Sequence, residues 1–515
     1  MSNTVFAVLI EVVSIQKYVF SSNKLKENLG ASWLMQEIFT VFLDSVAGEI
    51  MGRSDLNAWE KEHSVIQMNN GAEFEVGYIG GGNALLFFRQ EAKAREFINE
   101  WTKRLLVVSP GIVTALALGD FDLDEDFPGE IKKIFAQLHQ NKYSQIPQTL
   151  IARHGITAEC AHSGYSMENN WLYADNTYLS SSSWAKIEAS ERAGKELAKQ
   201  CAGILNNQFC FSDELDQLGQ LTGESHIAIV HIDGNGMGKR FRKAASLEQL
   251  RKLSCAVQNV TTESFMSLLK HIADNFSDIE TALGYEGRHK WPEERGKKIL
   301  PFRPIIIGGD ELTFVSEGRL GIYFAKLFLQ FFEAKGAEIK VEKGNGLSAC
   351  AGAAITKTKY PFYRGYQLSA ELCGSAKKTR LREKDHGSWL DFHVAYGGFS
   401  GTIDEIRESH YQSPGGSLLF RPYKINSTDE KGFETLVKNT QELKNSLPKN
   451  KRKELRQVLT LGKASIEKYM SQNKARRLKL PEIKGNNYHI RIYENNETPY
   501  FDMIEFMEFY PSFEL

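Results

Sequence analysis

The sequence has no Cys-x-x-Cys pair: its six cysteines, Cys160, Cys201, Cys210, Cys255, Cys350 and Cys373, stand singly. That excludes a disulfide framework of the small secreted kind and fits a reducing compartment. Cys160 and His162 are at most half a zinc site, and no second pair matches them, so the expectation is no zinc. Long hydrophobic runs are missing too. No stretch approaches the roughly 18 apolar residues of a membrane span. The N-terminal MSNTVFAVLIEVVSIQKYVF lacks the basic start and small-residue cleavage site of a signal peptide. It reads as a first strand, and the expected location is cytoplasmic, with no membrane partner. Nor is there an excess of one charge: 63 Lys plus Arg against 64 Asp plus Glu leave a formal net charge of -1. This excludes a uniformly basic nucleic-acid coat and an acidic solvating tail, while leaving room for local patches. What is present is a globular composition, 42% hydrophobic and 25% charged, over 515 residues. That length corresponds to roughly three or four domains.

A long-period internal duplication organises the chain. FAVLIEVVSIQKYVF from Phe6 lines up with IAIVHIDGNGMGKRF from Ile227. FEVGYIGGGNALLFF around Gly80 lines up with FRPIIIGGDELTFV around Gly308, and GIVTALALG from Gly111 with GLSACAGAAI from Gly346. The three matches keep their order and nearly their spacing. Each copy reads as strand, long helix, strand, Gly turn, strand, helix, strand. In the first copy LKENLGASWLMQEIFTVFLDSVAGEI has apolar residues at helical spacing, and EAKAREFINEWTKRLL is the second helix. FEVGYI and ALLFF flank Gly80, Gly81 and Gly82 as a hairpin signal. The fold class is therefore α+β, with two ferredoxin-like βαββαβ domains in one chain. An insertion, GYEGRHKWPEERGKK, precedes the second hairpin.

Between the copies lies a mostly polar, helical region with the run Ser180 to Ser183, read as a loop or helix cap. After them come a strand (WLDFHVAYGG) and a helical C-terminal domain. That tail includes KNKRKELRQVL and KARRLKL. Its clustered cations either contact a phosphate backbone or form a solvated face with i,i+4 partners; the sequence leaves both readings open.

The second copy has residues suited to chemistry. Its first strand ends in Asp233-Gly234-Asn235-Gly236, and its hairpin contains Gly308-Gly309-Asp310-Glu311. In a βαββαβ sheet the first and third strands are neighbours, which would bring Asp233, Asp310 and Glu311 to one spot. Clustered carboxylates need neutralising, and hard oxygen ligands suit Mg²⁺ or Mn²⁺. Two such ions can activate a hydroxyl and stabilise departing pyrophosphate in a nucleotidyl transfer. The flanking glycines would let a triphosphate approach the backbone. Downstream, LSAELCGSAKKTR reads as a helix presenting Lys377 and Lys378, followed by Arg380, where a cation could hold distal phosphates. Gly-Gly-Asp-Glu alone is an ordinary turn; strand, hairpin and basic helix in this order favour catalysis.

IQKYVF with KLKENLGASWL, IGGGNALLFF, DGNGMG, IGGDELTFV, LSAELCGSAKK, and DFHVAYGG leading to FRPY form an ordered set across most of the chain. By these residues the chain resembles the large, palm-containing subunit of type III CRISPR effector complexes, which makes cyclic oligoadenylates. Its second copy more distantly resembles GGDEF nucleotide cyclases. The resemblance implies two palm (nucleotide cyclase-like) domains facing one another, with ATP as substrate. It carries metal binding to Asp233, Gly234, Asp310 and Glu311, with two Mg²⁺ or Mn²⁺ ions. Nucleotide contact falls to Gly234, Asn235, Gly308, Gly309 and Lys377, and the acceptor pocket to Gly80, Gly81, Gly82 and Asn83. The expected catalytic residues are Asp233, Asp310 and Glu311. Guide RNA and CRISPR effector subunits are the implied partners.

The sequence departs from the family in several places. Glu311 stands where the family has a second Asp, as in GGDEF cyclases, and Asn235 where many relatives have an acid. The zinc segment is reduced to Cys160 and His162, and no His-Asp dipeptide marks an HD nuclease. In the first copy Val12 lines up with Asp233, and Gly82 and Asn83 replace the hairpin acids, so no two-metal centre is expected there. The expected domains are 1–124 (first palm), 125–222 (helical linker with vestigial zinc segment), 223–400 (second palm) and 401–515 (C-terminal helices). Two alternatives stand beside the synthase: a non-catalytic palm scaffold of an RNA-guided complex, and a stand-alone cyclase using GTP or mixed nucleotides.

Overall fold

The computed structural model describes residues 4–52, 66, 72–124, 126–144, 155–168, 172–173, 177–218, 225–285, 291–339, 346–397, 401–483 and 486–514. The fold is mixed α+β with several sheets. By its contacts the chain divides into two units. One comprises residues 1–201, 236–262 and 305–310; the other comprises 202–235, 263–304 and 311–515. Among the described residues no helix is long and apolar enough to cross a membrane.

In the first unit, β1 (Thr4–Val12), β2 (Phe74–Gly80), β3 (Asn83–Phe88) and β4 (Thr114–Asp122) form a sheet in the order β2-β3-β1-β4. The long helical run expected after β1 is two helices, α1 (Leu25–Glu37) and α2 (Val41–Met51). Thr40 leaves helical dihedrals (φ -116, ψ -101). Phe39 and Phe42, on either side of the break, both pack on Trp101 of α3 (Glu91–Val108). On β1 the period-two set Val5, Ala7, Leu9 enters the core. It meets Phe127, Ile131, Ile134 and Leu138 of α4 (Phe127–Ser144), which recur at i, i+4, i+7, i+11 along one helix face. The serine run caps α5 (Ser181–Gln200): Ser180 Oγ accepts from the Ser183 backbone N–H at 3.3 Å.

The first part of α6 (Leu247–Asp274) adds Leu247 and Leu250 to this core. Its Arg251 is fully buried, paired with Glu75 at 2.7 Å and donating to the Gly77 carbonyl at 2.8 Å. The β2–β3 register shifts between Val76 and Tyr78. A bulge frees carbonyls from the ladder, and Arg251 takes those of Val76 and Gly77.

The second sheet runs β6-β7-β5-β8-β9-β10, where β5 is His226–Gly234, β6 Phe302–Gly308, β7 Glu311–Glu317, β8 Ala349–Lys357, β9 Trp389–Val394 and β10 Tyr423–Lys424. In the second unit, α7 (Gly321–Gly336) packs on the face holding Ala228 and Val230 of β5: a Cβ on Gly321 would stand 2.1 Å from the Ala228 Cβ. α8 (Phe362–Arg382) covers the opposite face. It crosses so near β8 that a Cβ on Gly352 would meet the Ser369 carbonyl oxygen at 2.1 Å. The insertion before β6 includes a short hairpin, Glu293–Glu294 with Lys297–Ile299, beside Phe209–Cys210; its residues 286–290 lie outside the described residues. The C-terminal helices include α9 (Phe433–Ser446), α10 (Lys449–Leu461), α11 (Lys463–Ala475) and α12 (Tyr500–Glu508). α12 is locked to the FRPY segment: Arg421 Nε donates to Asp502 at 2.9 Å, and its guanidinium lies 4.1 Å over the Phe392 ring.

Candidate nucleotide and metal site

The β5–β7 ladder pairs Asp233 with Glu311 and His231 with Thr313. Alternation puts all four side chains on one sheet face, the face under α8. His231 is buried, its ring edge-on to Tyr366 of α8, with Nδ1 3.3 Å from Glu311 and 3.0 Å from Thr313 Oγ1. Thr313 donates to Glu311 at 3.1 Å. Glu311 is thus held from two sides.

Asp233 is held by a cation. Lys377 Nζ donates to the Asp233 carboxylate and, at 3.0 Å, to the Gly234 carbonyl. Lys377 extends the sheet-facing stripe Phe362, Tyr366, Ser369, Cys373 of α8 by one more turn. Burial is the largest single influence and alone would lower its pKa, but the charge and hydrogen bond of Asp233, together with Cys373 and Cys350, raise it overall. Burial pushes the neighbouring Cys350 thiol up to about 11, which keeps it protonated and unreactive at neutral pH. Lys378 is largely exposed, 3.9 Å from Asp404, and Arg380 donates to the Gly387 carbonyl at 3.2 Å. Asn235 is buried. Its backbone N–H donates to the Ser348 carbonyl at 2.8 Å, and its side-chain amide to Ser348 Oγ at 3.1 Å, so that amide serves the strand end.

In the first unit, the tip Gly308-Gly309-Asp310 is gripped by α6. Gln258 accepts from the Gly309 N–H at 2.6 Å, and Thr261 donates to the Gly309 carbonyl at 2.7 Å. Gln36 of α1 donates to the Ile307 carbonyl at 3.1 Å. Gly309 has φ +57, which favours glycine, and a Cβ there would stand 3.6 Å from the Gly81 nitrogen. The tips of the two glycine hairpins therefore lie against each other within this unit. Gly81 and Gly82 also have positive φ, and Gly80 ends β2. Asn83 Oδ1 is buried with no hydrogen-bond partner among the described residues.

The first copy differs from its expected alignment. Matching the motifs puts Val12 in the place of Asp233, but the ladders put Glu11 there. Glu11 pairs with Asn83 on β3 and Ala115 on β4, as Asp233 pairs with Glu311 on β7 and Cys350 on β8. The copies are offset by one residue along the first strand, and this brings an acid onto the core-facing set Val5, Ala7, Leu9. Glu11 is bound at 2.5 Å by Lys142, the next position of the Phe127–Leu138 stripe on α4. Lys142 and Lys377 each stand fifteen residues beyond the start of their helices.

Five side chains of this arrangement escape motif reading. His231 and Thr313 carry a faint signal, being two residues from Asp233 and Glu311 on adjoining strands. Lys142 is signalled by the helical period ending on a cation. Gln258 and Thr261 have no sequence signal; their role comes from tertiary packing alone.

A divalent cation fits the donor type present: Asp233, Glu311 and the Gly234 carbonyl offer only oxygen, as Mg²⁺ and Mn²⁺ prefer. Among the described residues, no group of three or more His, Cys, Asp or Glu side chains is gathered to hold a metal. Asp233 is engaged by Lys377, while Asp310 occupies the turn directly before Glu311. Of the two residues considered for zinc, His162 Nδ1 partners Glu27, and the Cys160 thiol lies 3.5 Å from Ser183 Oγ. A cavity of about 160 Å³ lies elsewhere in the second unit, beyond the C-terminal end of β9, lined by His393, Tyr396, Tyr411, Arg456, Phe501 and Glu505. Val394 at that end pairs with Ile355, which pairs with Ala228 near the start of β5, so the cavity is at the opposite end of the strands from Asp233.

No protein-family model matches the chain, and no curated protein matches it. Among solved structures, it is similar to a chain of the Csm1-Csm4 cassette in complex with pppApApA, at 12% identity and a TM-score of 0.48, covering 98% of this chain and 69% of that one. It is likewise similar to the cassette in complex with one ATP (13%, TM-score 0.45, 98% and 69%) and with cA4 (12%, TM-score 0.44, 98% and 69%).

Proposed function

We propose that the chain is a metal-dependent nucleotidyltransferase that converts ATP to cyclic oligoadenylate-type messengers in type III CRISPR-like antiviral defence. In this reading its halves are two ferredoxin-like palm domains, with the domain limits 1–124, 125–222, 223–400 and 401–515. Guide RNA and CRISPR effector subunits are its partners, and its setting is cytoplasmic. The observation that carries the reading is the strand-end pair of carboxylates, Asp233 across the ladder from Glu311, with Lys377 reaching Asp233 from α8. A pure scaffold has no need of two acids and a cation at the mouth of a Gly-Gly-Asp-Glu turn.

Asp233, Asp310, Glu311 and the Gly234 carbonyl would hold Mg²⁺ or Mn²⁺, which supplies charge neutralisation of the triphosphate and acidifies the attacking hydroxyl. His231 and Thr313 keep Glu311 oriented. Lys377, released from Asp233, contacts the triphosphate as a point charge. The glycine backbone at Gly308 and Gly309 lets phosphates come close. A second nucleotide, held by Gly80 to Asn83, offers its ribose hydroxyl to the α-phosphorus. The new O–P bond forms as the bond to the β-phosphate oxygen breaks, pyrophosphate leaves, and the hydroxyl proton passes to solvent. Catalysis of this kind is mostly positioning and charge stabilisation.

ATP with Mn²⁺ or Mg²⁺ should give pyrophosphate, and Asp310→Ala should stop it; unchanged turnover in that variant removes the site assignment. Mass spectrometry of products from each nucleotide alone and from all four names the base. The pppApApA, ATP and cA4 bound in the similar structures are the first compounds to test here. One observation favours the scaffold alternative: Lys377 already satisfies Asp233, and no three-ligand group forms among the described residues. That reading predicts neither pyrophosphate nor any thermal shift with nucleotide and metal. Glu311 in place of aspartate keeps a GTP or mixed-nucleotide cyclase as the third outcome of the same product assay.

A further inference from the structure

From Lys449 to Lys479 the chain has eleven Lys and Arg and two acids, Glu454 and Glu467. The whole chain has a net charge of -1, so this short segment is sharply out of balance with the rest. A solvated helix face normally compensates itself through i,i+4 acids; here the acids are too few. Glu454 is taken at 2.5 Å by the buried Lys451, and Arg456 turns toward Glu505 and Glu508. The other nine cations have no ion-pair partner among the described residues, and all but Arg452 are exposed. The buried stripes Leu455, Leu459 of α10 and Ile466, Tyr469 of α11 fix the helix orientation, so Lys453, Lys463, Lys468 and Lys474 point to solvent.

We infer that α10, α11 and the Arg476–Lys479 segment form a docking face for a nucleic-acid strand, gripped through its phosphates. Two features select this occupant. The one large apolar side chain exposed along the segment is Leu461, so there is no apolar face to enter a bilayer. Its one aromatic residue, Tyr469, is buried, so no ring is available to stack on bases. Lys and Arg on flexible stems then read phosphate charge and nothing else, and binding is indifferent to base sequence and to the sugar. This inference is independent of the nucleotidyltransferase reading.

The test is fluorescence anisotropy of the full chain with labelled RNA and DNA oligomers of about 25 nucleotides across a salt series. Both strands should bind within about threefold of each other, with log K falling linearly against log salt. Each phosphate contact on a single strand contributes a slope of about -0.7. Lys463→Gln/Lys468→Gln/Lys474→Gln should therefore flatten the slope by about 2 and weaken binding at least tenfold at about 100 mM salt. The matching triple Lys→Arg variant should bind as the parent does. A melting temperature unchanged in the Gln variant shows that it folds; Arg476→Gln/Arg477→Gln, beyond the helix end, gives the same readout if it does not. Undiminished binding by both Gln variants overturns the inference. So does binding to anionic phosphatidylserine vesicles without binding to RNA, or competition by poly-glutamate stronger than by RNA at equal charge.

Discussion

Glu11 stands to Lys142 as Asp233 stands to Lys377: an acid at the end of a first strand, met by a lysine fifteen residues along the helix that follows the fourth strand. The duplication thus extends beyond backbone order to a charged pair, although the first copy has glutamate for aspartate and no hairpin acids. The pairs have similar exposure, between 23% and 38% for each side chain. Pairs so exposed contribute little to stability, so their likeness points to a shared use.

Lysine removal tests that use. Lys377→Ala should lower kcat/KM for ATP by about 100-fold, the loss of a charge-assisted phosphate contact made in the transition state. Lys142→Ala should cost about tenfold, appearing mostly in KM, as expected for a group that holds the second nucleotide. Both variants should melt within a few degrees of the parent. Pyrophosphate release at varied ATP measures all of this, and full activity in Lys142→Ala would make the first pair structural.

Because Lys377 occupies Asp233, metal and lysine compete for one carboxylate. Replacing the lysine should therefore have opposite effects on two measurements. Lys377→Met should bind Mn²⁺ about tenfold more tightly in the absence of nucleotide, since a like charge a few ångströms away has been removed. It should nevertheless turn ATP over more slowly. Asp233→Asn should lose the Mn²⁺-dependent rise in melting temperature altogether. Calorimetric titration and thermal scans check the pair of effects, and equal Mn²⁺ affinity in Lys377→Met contradicts the competition.

Much of this was legible in the residues. The repeat order, the Gly turns and the neighbouring Asp233 and Glu311 follow from alternation and glycine chemistry, which are local signals. The one-residue offset that places Glu11 rather than Val12 beside Asn83 was not, because register is decided by ladders between distant segments. The same holds for the break at Thr40, where a helical apolar pattern continues unbroken through Phe39 and Phe42 while Trp101, some sixty residues later, decides the packing. Gln258 and Thr261 look like any polar helix residues until the Gly309 turn is set against them. The charge of the C-terminal segment was plain, but its lack of compensating acids became meaningful only with the buried stripes known.

The Arg421 side chain has no exposed surface and is shared by Asp502 and Glu505, themselves buried. Removing one partner of such a group strands charge in a low-dielectric interior. Arg421→Met should destabilise the second unit by about 3–5 kcal/mol, read from the urea midpoint. Arg421→Met/Asp502→Leu/Glu505→Met, which removes the charges together, should recover most of that loss. A triple variant no more stable than the single one would show that shape, rather than charge balance, is what the FRPY segment supplies.

His393 gives the pH dependence. It is buried at the end of β9, with Tyr411 Oη 3.4 Å from Nδ1. Burial, and after it the charges of Arg421, Arg407 and His410, bring its pKa down from 6.5 to about 3. The unfolded chain takes up this proton below about pH 6.5, while the folded chain refuses it until about pH 3. Protons bound to the unfolded state in excess make stability rise with pH. The contribution of His393 is therefore complete above pH 6.5 and lost progressively as pH falls from there toward 3, at about 1.4 kcal/mol per pH unit. Between pH 7.5 and 5.0 the parent should lose about 2 kcal/mol more than His393→Gln, which keeps a polar partner for Tyr411 and has no proton to gain. Because both proteins share every other titrating group, the difference between their urea midpoints isolates this residue. Parallel losses would mean that His393 takes up its proton at the same pH folded and unfolded, which requires water or the nearby Glu505 carboxylate to reach the ring.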